Sequence, residues 1–207
     1  MHLPTIEQAH ALLEEAQARN PGPWVQHSLY AAQAAQAIAS RHPRLDPEAA
    51  YVLGCLHDIG RRAGRYEMRH ALDGYRYLDA LGYPEAARVA LTHSFPIPEV
   101  QAVASQWDCS PQEQQFVGDF LARNAYNDYD RLVQLCDCLA LPSGFCLIEK
   151  RMVDVALRYG TNAYSVPRWK AYLQLQHGFE AAMGCSVYSL LPGVVENTFG
   201  IAIQASG

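Results

Sequence analysis

His57 and Asp58 stand side by side at the end of an apolar run, and a glycine follows at position 60. An ionised carboxylate left in apolar surroundings costs several kcal/mol unless a cation neutralises it. Where histidines lie near a carboxylate, that cation is usually a divalent metal. The pair therefore indicates a metal site, and a helix end capped by a hydrogen-bonded His57 is the simpler alternative.

Metal-binding residue types recur at positions that helical spacing turns inwards. Apolar residues at helical intervals surround His27 and His93, and Asp137 interrupts the almost wholly apolar segment 132–142. Each residue taken alone is explained as a satisfied core side chain. One metal centre accounts for the whole set, which is spread over five predicted helices: His27, His57, Asp58, His70, His93 and Asp137.

Helix signals position these residues. Thr5 with Gln8 and Ser110 with Glu113 form capping boxes, and Asp46 caps a helix that has proline at its first position. The patterns predict helices at about 5–19, 24–42, 47–58, 67–81, 84–93, 110–124, 132–142, 145–159 and 167–183. No series of strands is evident, so the predicted fold class is all-α, a helical bundle with additional C-terminal helices.

The 207 residues suffice for one domain with a substantial core. We expect a single domain over 1–207, with a metal-binding core at about 24–141, the N-terminal helix 5–19 and C-terminal helices in 143–207 packed on it. The net charge of −5 argues against a nucleic acid polymer as partner. No apolar run is long enough for a membrane span, and the N-terminus lacks a secretory pattern, so we expect a cytoplasmic protein. The oligomeric state is left open.

The order His, His-Asp, His, His, Asp, with the dipeptide in the form His57-Asp58-Ile59-Gly60, resembles the HD-domain superfamily of metal-dependent phosphohydrolases over residues 24–141. The resemblance implies a helical fold in which His57 and Asp58 are the catalytic pair and Asp58 bridges two ions. It implies primary ligands at His27, His57, Asp58 and Asp137, and a second site completed by His70 and His93.

The chemistry implied by that resemblance is hydrolysis at phosphorus. Two divalent ions bridged by a carboxylate and a water lower the pKa of the water, and the bridging hydroxide acts as the nucleophile. A set of four imidazoles favours a transition metal, iron, manganese, cobalt or zinc, over magnesium. No nucleophilic side chain is then required.

Basic residues cluster directly after the dipeptide. Four of the sixteen lysines and arginines fall within nine positions: Arg61, Arg62, Arg65 and Arg69. Such enrichment in an acidic chain suits recognition of a phosphate, and a solvated loop with locally paired charges is the alternative. The candidate substrate-binding residues are Arg61, first in order, with Arg62, Arg65 and Lys150, and Arg151 comes after them beside Lys150.

The function expected is a phosphohydrolase for a small anionic phosphorylated metabolite, such as a nucleotide or a dinucleoside polyphosphate. Ile59-Gly60-Arg61-Arg62 replaces the acidic pair of guanosine-tetraphosphate hydrolases, and Ser94-Phe95-Pro96 replaces the elements that follow His93 in cyclic-dinucleotide phosphodiesterases. Both branches are therefore disfavoured. The same ligand pattern resembles di-iron oxygenases of the superfamily that cleave C–C or C–P bonds. A metal- or ligand-binding module without catalysis is the third alternative.

Overall fold

Helices make up most of the chain in the computed structural model, which describes residues 1–202. The ten α-helices of these residues are α1 Ile6–Arg19, α2 Trp24–Ala39, α3 Pro47–Leu56, α4 Arg69–Ala80, α5 Pro84–Thr92, α6 Pro111–Arg123, α7 Asp128–Cys138, α8 Ile148–Tyr159, α9 Ser165–Met183 and α10 Val194–Phe199. Two short 3-10 helices lie at Ile59–Ala63 and Val187–Leu190. The all-α prediction is confirmed. The last five positions of the predicted domain, 203–207, lie outside the described residues.

The predicted helix starts are confirmed by their caps. The hydroxyls of Thr5 and Ser110 accept hydrogen bonds from the backbone N–H three residues on, and Asp46 does so through its carboxylate. A cap that the prediction missed, Asn127, accepts from the N–H groups of Tyr129 and Asp130. Helix α7 therefore begins at residue 128 rather than 132.

Three predicted helix ends are wrong, and the first of them is that of α2, which stops at Ala39 rather than at residue 42. Helix α3 stops at Leu56, so that His57 is its C-terminal cap and Asp58 precedes the 3-10 helix Ile59–Ala63. Helix α7 stops at Cys138, because the chain then enters a hairpin of β1 Ala140–Leu141 and antiparallel β2 Gly144–Phe145. The hairpin pairs Ala140 with Phe145, and that backbone pairing takes the place of the last helical turn.

Helix α2 lies at the centre of the packing. It contributes buried residues to one apolar cluster with α7, α9 and the hairpin, and to another with α1, α3 and α5. Gly54 on α3 faces the backbone of Ala32 on α2, where an added Cβ would lie 2.7 Å from the Ala32 Cα. The absence of a side chain at Gly54 lets the two helices approach closely.

A buried ion pair fixes α5 against α7. Asp130 is fully buried and lies 2.6 Å from Arg88 Nη2, and it accepts a hydrogen bond of 2.8 Å from the Thr92 hydroxyl. Because His93 directly follows Thr92, this network sets the position of that imidazole relative to α7. None of the helices formed by residues 1–202 has the length and hydropathy needed to cross a bilayer.

The single-domain organisation remains a prediction. The packing that supports it runs from α7, which contacts both α8 and α9. The N-terminal helix α1 packs on α3 and on the 3-10 helix that follows Asp58. The extra helices at both ends of the chain therefore meet the core close to the residues that sequence analysis selects.

Candidate metal centre

Backbone geometry at the end of α3 brings His57 and Asp58 to the same site. His57 keeps a helical conformation, whereas Asp58 has φ −99° and ψ 11°, which starts the 3-10 helix. The chain can turn so tightly because Gly60 packs directly on the backbone of α4 at His70 and Gly74, where a side chain at 60 would collide with main-chain atoms. This turn places Asp58 beside His70.

Three of the four histidines are oriented in the same way. The Nδ1–H groups of His57 and His93 donate to backbone carbonyl oxygens three residues earlier, at 2.6 and 2.9 Å, and His70 makes the same kind of bond. A carbonyl oxygen can only accept, so Nδ1 carries the proton in each neutral ring. The Nε2 atoms of all three therefore present a lone pair towards the site, as in histidines that bind metals.

Two triads of metal-binding groups share one carboxylate. Ligand atoms of His27, His57 and Asp58 lie within 4.8 Å of one another, and so do those of Asp58, His70 and His93. All five residues are buried. A carboxylate that belongs to both triads has the position required to bridge two cations.

The unsatisfied polar atoms fit a bound cation. Nε2 of His70 lies 3.3 Å from Nε2 of His93, and Asp58 Oδ1 lies 3.2 and 3.6 Å from the same two atoms. Lone pairs at such separations repel one another unless a proton or a cation lies between them. Within residues 1–202, His57 Nε2 and Asp58 Oδ1 are buried without a hydrogen-bond partner. Because burying such atoms is costly, the site suits a divalent metal.

Asp137 lies on α7 next to the first triad. Its Oδ1 atom is 2.9 Å from His27 Nε2 and 3.3 Å from Arg151 Nη2. Two ligands at right angles on one ion, with bonds of about 2.1 Å, are about 3 Å apart. The separation of Asp137 and His27 therefore fits two neighbouring ligands of one ion as well as it fits a hydrogen bond.

Burial and nearby charges keep His57, Asp58 and Asp137 in their metal-binding protonation states. Burial lowers the pKa of His57 to about 4, although the Asp58 carboxylate acts in the opposite direction. Burial would raise the pKa of Asp58, but Arg61 and His70 outweigh it and hold that pKa well below the usual range. The carboxyl of Asp137 behaves in the same way, with His27 and Arg151 lowering its pKa against burial. These three residues can thus bind a cation without first losing protons.

A cavity of about 120 Å³ opens onto both aspartates and onto His70 and His93. A wider cleft of about 530 Å³ continues from it past Asn20, Pro21 and the loop that contains Arg65. Four arginines and two aspartates line the inner cavity, so its lining carries an excess of positive charge even with neutral histidines. An anionic ligand is the natural occupant.

The basic residues selected from the sequence divide into two groups. Arg61 lines both spaces and donates its Nε–H to Asp58 at 2.7 Å, and Arg65 lines the outer cleft. Arg62 instead points to α1, where it makes a two-pronged contact with Glu15. Lys150 is exposed on α8 and lines neither space. Turning of the 3-10 helix directs consecutive arginines to opposite sides, which accounts for the separation of Arg61 from Arg62.

Two cavity arginines, Arg158 and Arg168, were not among the substrate-binding residues selected from the sequence, whereas Arg151 was selected alongside Lys150 and lines the cavity. The spacing of 151, 155 and 158 along α8 is that of one helical face, and this signal would have selected Arg151 over Lys150. Arg168 on α9 carries no comparable signal, because α9 is not amphipathic in its sequence pattern.

Comparisons with known proteins give a family and a distant structural relative. The family model described as HD domain matches residues 24–141, more than half of the chain. A crystal structure of the HD domain of the L. monocytogenes phosphodiesterase PgpH, in complex with cyclic-di-AMP, is similar at 15% sequence identity and a TM-score of 0.48, over 95% of this chain and 100% of that one. A comparison with curated proteins finds no match. On the family match over residues 24–141, this chain belongs to the HD-domain family.

Proposed function

We propose that this protein is a metal-dependent phosphohydrolase acting on a small phosphorylated metabolite, with nucleotides and dinucleoside polyphosphates as the first candidates. The observation that carries the proposal is Asp58, a buried carboxylate shared by two triads at the end of a cavity lined by arginines. Membership of the HD-domain family agrees with it.

One group of residues would bind metal ions, and another would contact the substrate. His27, His57, Asp58 and Asp137 would hold one divalent ion, and Asp58, His70 and His93 a second. Such ions, when bound, activate water and stabilise the charge that develops on phosphoryl oxygens. The imidazole-rich donor set favours iron, manganese, cobalt or zinc over magnesium.

Arg61 orients both the metal ligand and the substrate. Its Nε–H holds Asp58 Oδ2 at 2.7 Å, which leaves Oδ1 turned towards His70 and His93. A guanidinium has five N–H donors, so the remaining donors of Arg61 can reach a phosphoryl oxygen in the cavity that it lines. Arg151 holds Asp137 in a similar way from the opposite side.

The test combines metal analysis with phosphate release. D58N and D137N should lose bound metal and reduce phosphate release from nucleotides, dinucleoside polyphosphates and sugar phosphates by more than about 100-fold, since even changes around the ligands cost 10–100-fold in metal sites. D79N, at an exposed aspartate of α4, is the matched control and should behave as wild type. Full metal content and full turnover in both site variants would refute the proposal.

A di-iron oxygenase that cleaves a C–C or C–P bond is the second candidate. The specific observation in its favour is the donor set, in which four imidazoles accompany two carboxylates, because iron accepts such a set readily. Substrate-dependent oxygen consumption, measured with an oxygen electrode on iron-loaded protein, separates the two chemistries. Metal binding without turnover in either assay would favour a non-catalytic binding module.

A further inference from the structure

Arg168 differs from every other cation of the described chain. Its exposed fraction is 6%, and it is the one lysine or arginine among residues 1–202 that is buried. It lies on α9, outside the segment that matches the HD-domain family. Its side chain makes no hydrogen bond or ion pair with any of these residues within the usual distance limits. No nitrogen of Arg168 is among the enclosed polar atoms that lack a partner, so its guanidinium opens into the cavity, where the unpaired charge is available to an anionic ligand.

The other cavity arginines are already paired with carboxylates. Arg61 is 2.7 Å from Asp58, Arg151 is 3.3 Å from Asp137, and Arg158 is 2.7 Å from Asp154. Arg168 shares the cavity with these residues but has no carboxylate of its own among residues 1–202. The positive charge that the cavity lining has left over is therefore concentrated at Arg168.

The two titratable groups that influence the charge of Arg168 are neutral. Tyr172 and Cys138 influence the charge of Arg168, and burial raises the pKa of both the phenol and the thiol well above their ordinary values. Neither group supplies an anion at neutral pH. Burial also lowers the pKa of Arg168, as expected for an uncompensated charge. No anionic group among residues 1–202 therefore neutralises Arg168, and a bound anion would do so.

The cavity joins Arg168 to the metal centre through a partly apolar lining. Asp58, His70 and His93 line the same cavity as Arg168, together with Met152 and Trp169. A ligand with one anionic group at the metal centre would extend along these less polar side chains. A second anionic group on that ligand would meet the unpaired guanidinium.

We propose that Arg168 binds a second anionic group of the substrate, which makes the substrate class a small organic phosphate carrying another phosphate or a carboxylate. The inference rests on the proposed function for the reacting phosphate, and it adds a specificity-determining residue from outside the family-matched segment. Arg168 is a binding residue in this scheme and takes no part in the chemical step.

The experiment measures binding without turnover. Isothermal titration calorimetry of metal-loaded protein in oxygen-free buffer would compare alkane-α,ω-bisphosphonates, ω-carboxyalkylphosphonates and plain alkylphosphonates, each over a series of chain lengths. We expect at least one bifunctional length to bind about tenfold or more tightly than the matching alkylphosphonate. The two bifunctional series show whether the second group is a phosphate or a carboxylate. Equal affinity of bifunctional and plain probes at every length overturns the proposal.

Two variants on α9 assign the effect to one residue. R168M keeps the length of the apolar stem and removes the charge, and it should abolish the preference for bifunctional probes while plain alkylphosphonates bind as before. K170M removes an exposed cation two residues further along the same helix and should retain the preference. Persistence of the preference in R168M overturns the assignment.

Thermal stability separates a binding role from a structural one. Because the charge is uncompensated, ligand-free R168M should melt at the same temperature as wild type or higher. A variant that melts well below wild type, or fails to fold, overturns the proposal, because Arg168 would then stabilise the fold. Arg168-dependent binding without phosphate release would refute the proposed function and support the second-anion site. Hydrolysis with no preference for bifunctional substrates would support the proposed function and overturn the second-anion site.

Discussion

Replacement of Gly54 by alanine tests whether the close approach of α2 and α3 builds the first triad. An alanine Cβ at 54 would lie 2.7 Å from Ala32 Cα, 3.0 Å from Ala32 N and 3.1 Å from Ala31 O. These are backbone atoms of a buried helix, so they cannot rotate away as a flexible side chain can. Reaching ordinary contact at 3.4 Å or more requires the two helices to move apart by about 0.7 Å.

The G54A substitution changes the free energy of unfolding in two opposite ways, and a control variant, G178A, separates them. Overpacking costs about 1–3 kcal/mol, while alanine gains about 1 kcal/mol over glycine in a helix. Gly178 lies within α9 and an added Cβ there meets no atom within 4 Å, so G178A receives the gain without the clash. We expect G178A to raise Tm by about 2–4 °C and G54A to melt about 2–12 °C below G178A, as scaled for a chain of this size.

The same displacement should weaken the metal centre. His27 lies on α2 and His57 caps α3, so separation of the helices pulls these two rings apart, whereas metal sites tolerate ligand shifts of only about 0.2 Å. Metal analysis after dialysis should show that G54A loses metal while G178A retains it. If G54A gains as much stability as G178A and keeps its metal, the helices are not in close contact at Gly54 and the reasoning is wrong.

Three further predictions concern pH, substrate binding and the buried ion pair. In metal-free protein the unfolded chain protonates His57 from pH 6.5 downwards, while the folded chain keeps it neutral to about pH 4. The free energy of unfolding should therefore fall by about 3 kcal/mol as the pH drops through this window, and urea titrations of H57N should show a shallower fall. In steady-state kinetics R61Q should raise KM for phosphorylated substrates about tenfold or more, whereas R62A, whose side chain contacts α1, should leave KM unchanged. D130A should lower the free energy of unfolding in urea by about 3 kcal/mol, because it leaves Arg88 without its buried partner.

The starts of α1, α3 and α6 could be predicted from the sequence because their causes are local. Ser110 and Glu113 each accept a hydrogen bond from the other's backbone N–H within one turn. The sequence pattern and the hydrogen bonds that it predicts therefore involve the same four residues. The candidate ligands were selected for a related reason. Histidines and aspartates that helical spacing turns inwards are costly to bury unless they meet, and the structure places them together or side by side.

The ends of α3 and α7 could not be predicted, because tertiary contacts decide them, whereas the predicted ends of α1, α8 and α9 agree with the structure. The apolar pattern around His57 continues through Ile59, and nothing local to the sequence requires α3 to stop at Leu56. The turn depends on Gly60 fitting against the backbone of α4, a contact between residues ten or more positions apart. Helix α7 ends at Cys138 for a similar reason, since Ala140 is taken up by pairing with Phe145.

Under the proposed function, the distribution of cavity residues assigns catalysis and selectivity to different parts of the chain. Every candidate metal-binding residue lies within the family-matched segment 24–141, whereas Arg151, Arg158 and Arg168 lie on α8 and α9 beyond it. A family model can therefore find the metal centre and still carry no information on the charges that contact the far end of a substrate. Substitutions on the cavity side of α8 and α9, away from the Arg151 contact with Asp137, should change which phosphorylated molecule is accepted while metal content stays constant. Loss of metal from such variants would show that the two regions cannot be separated in this way.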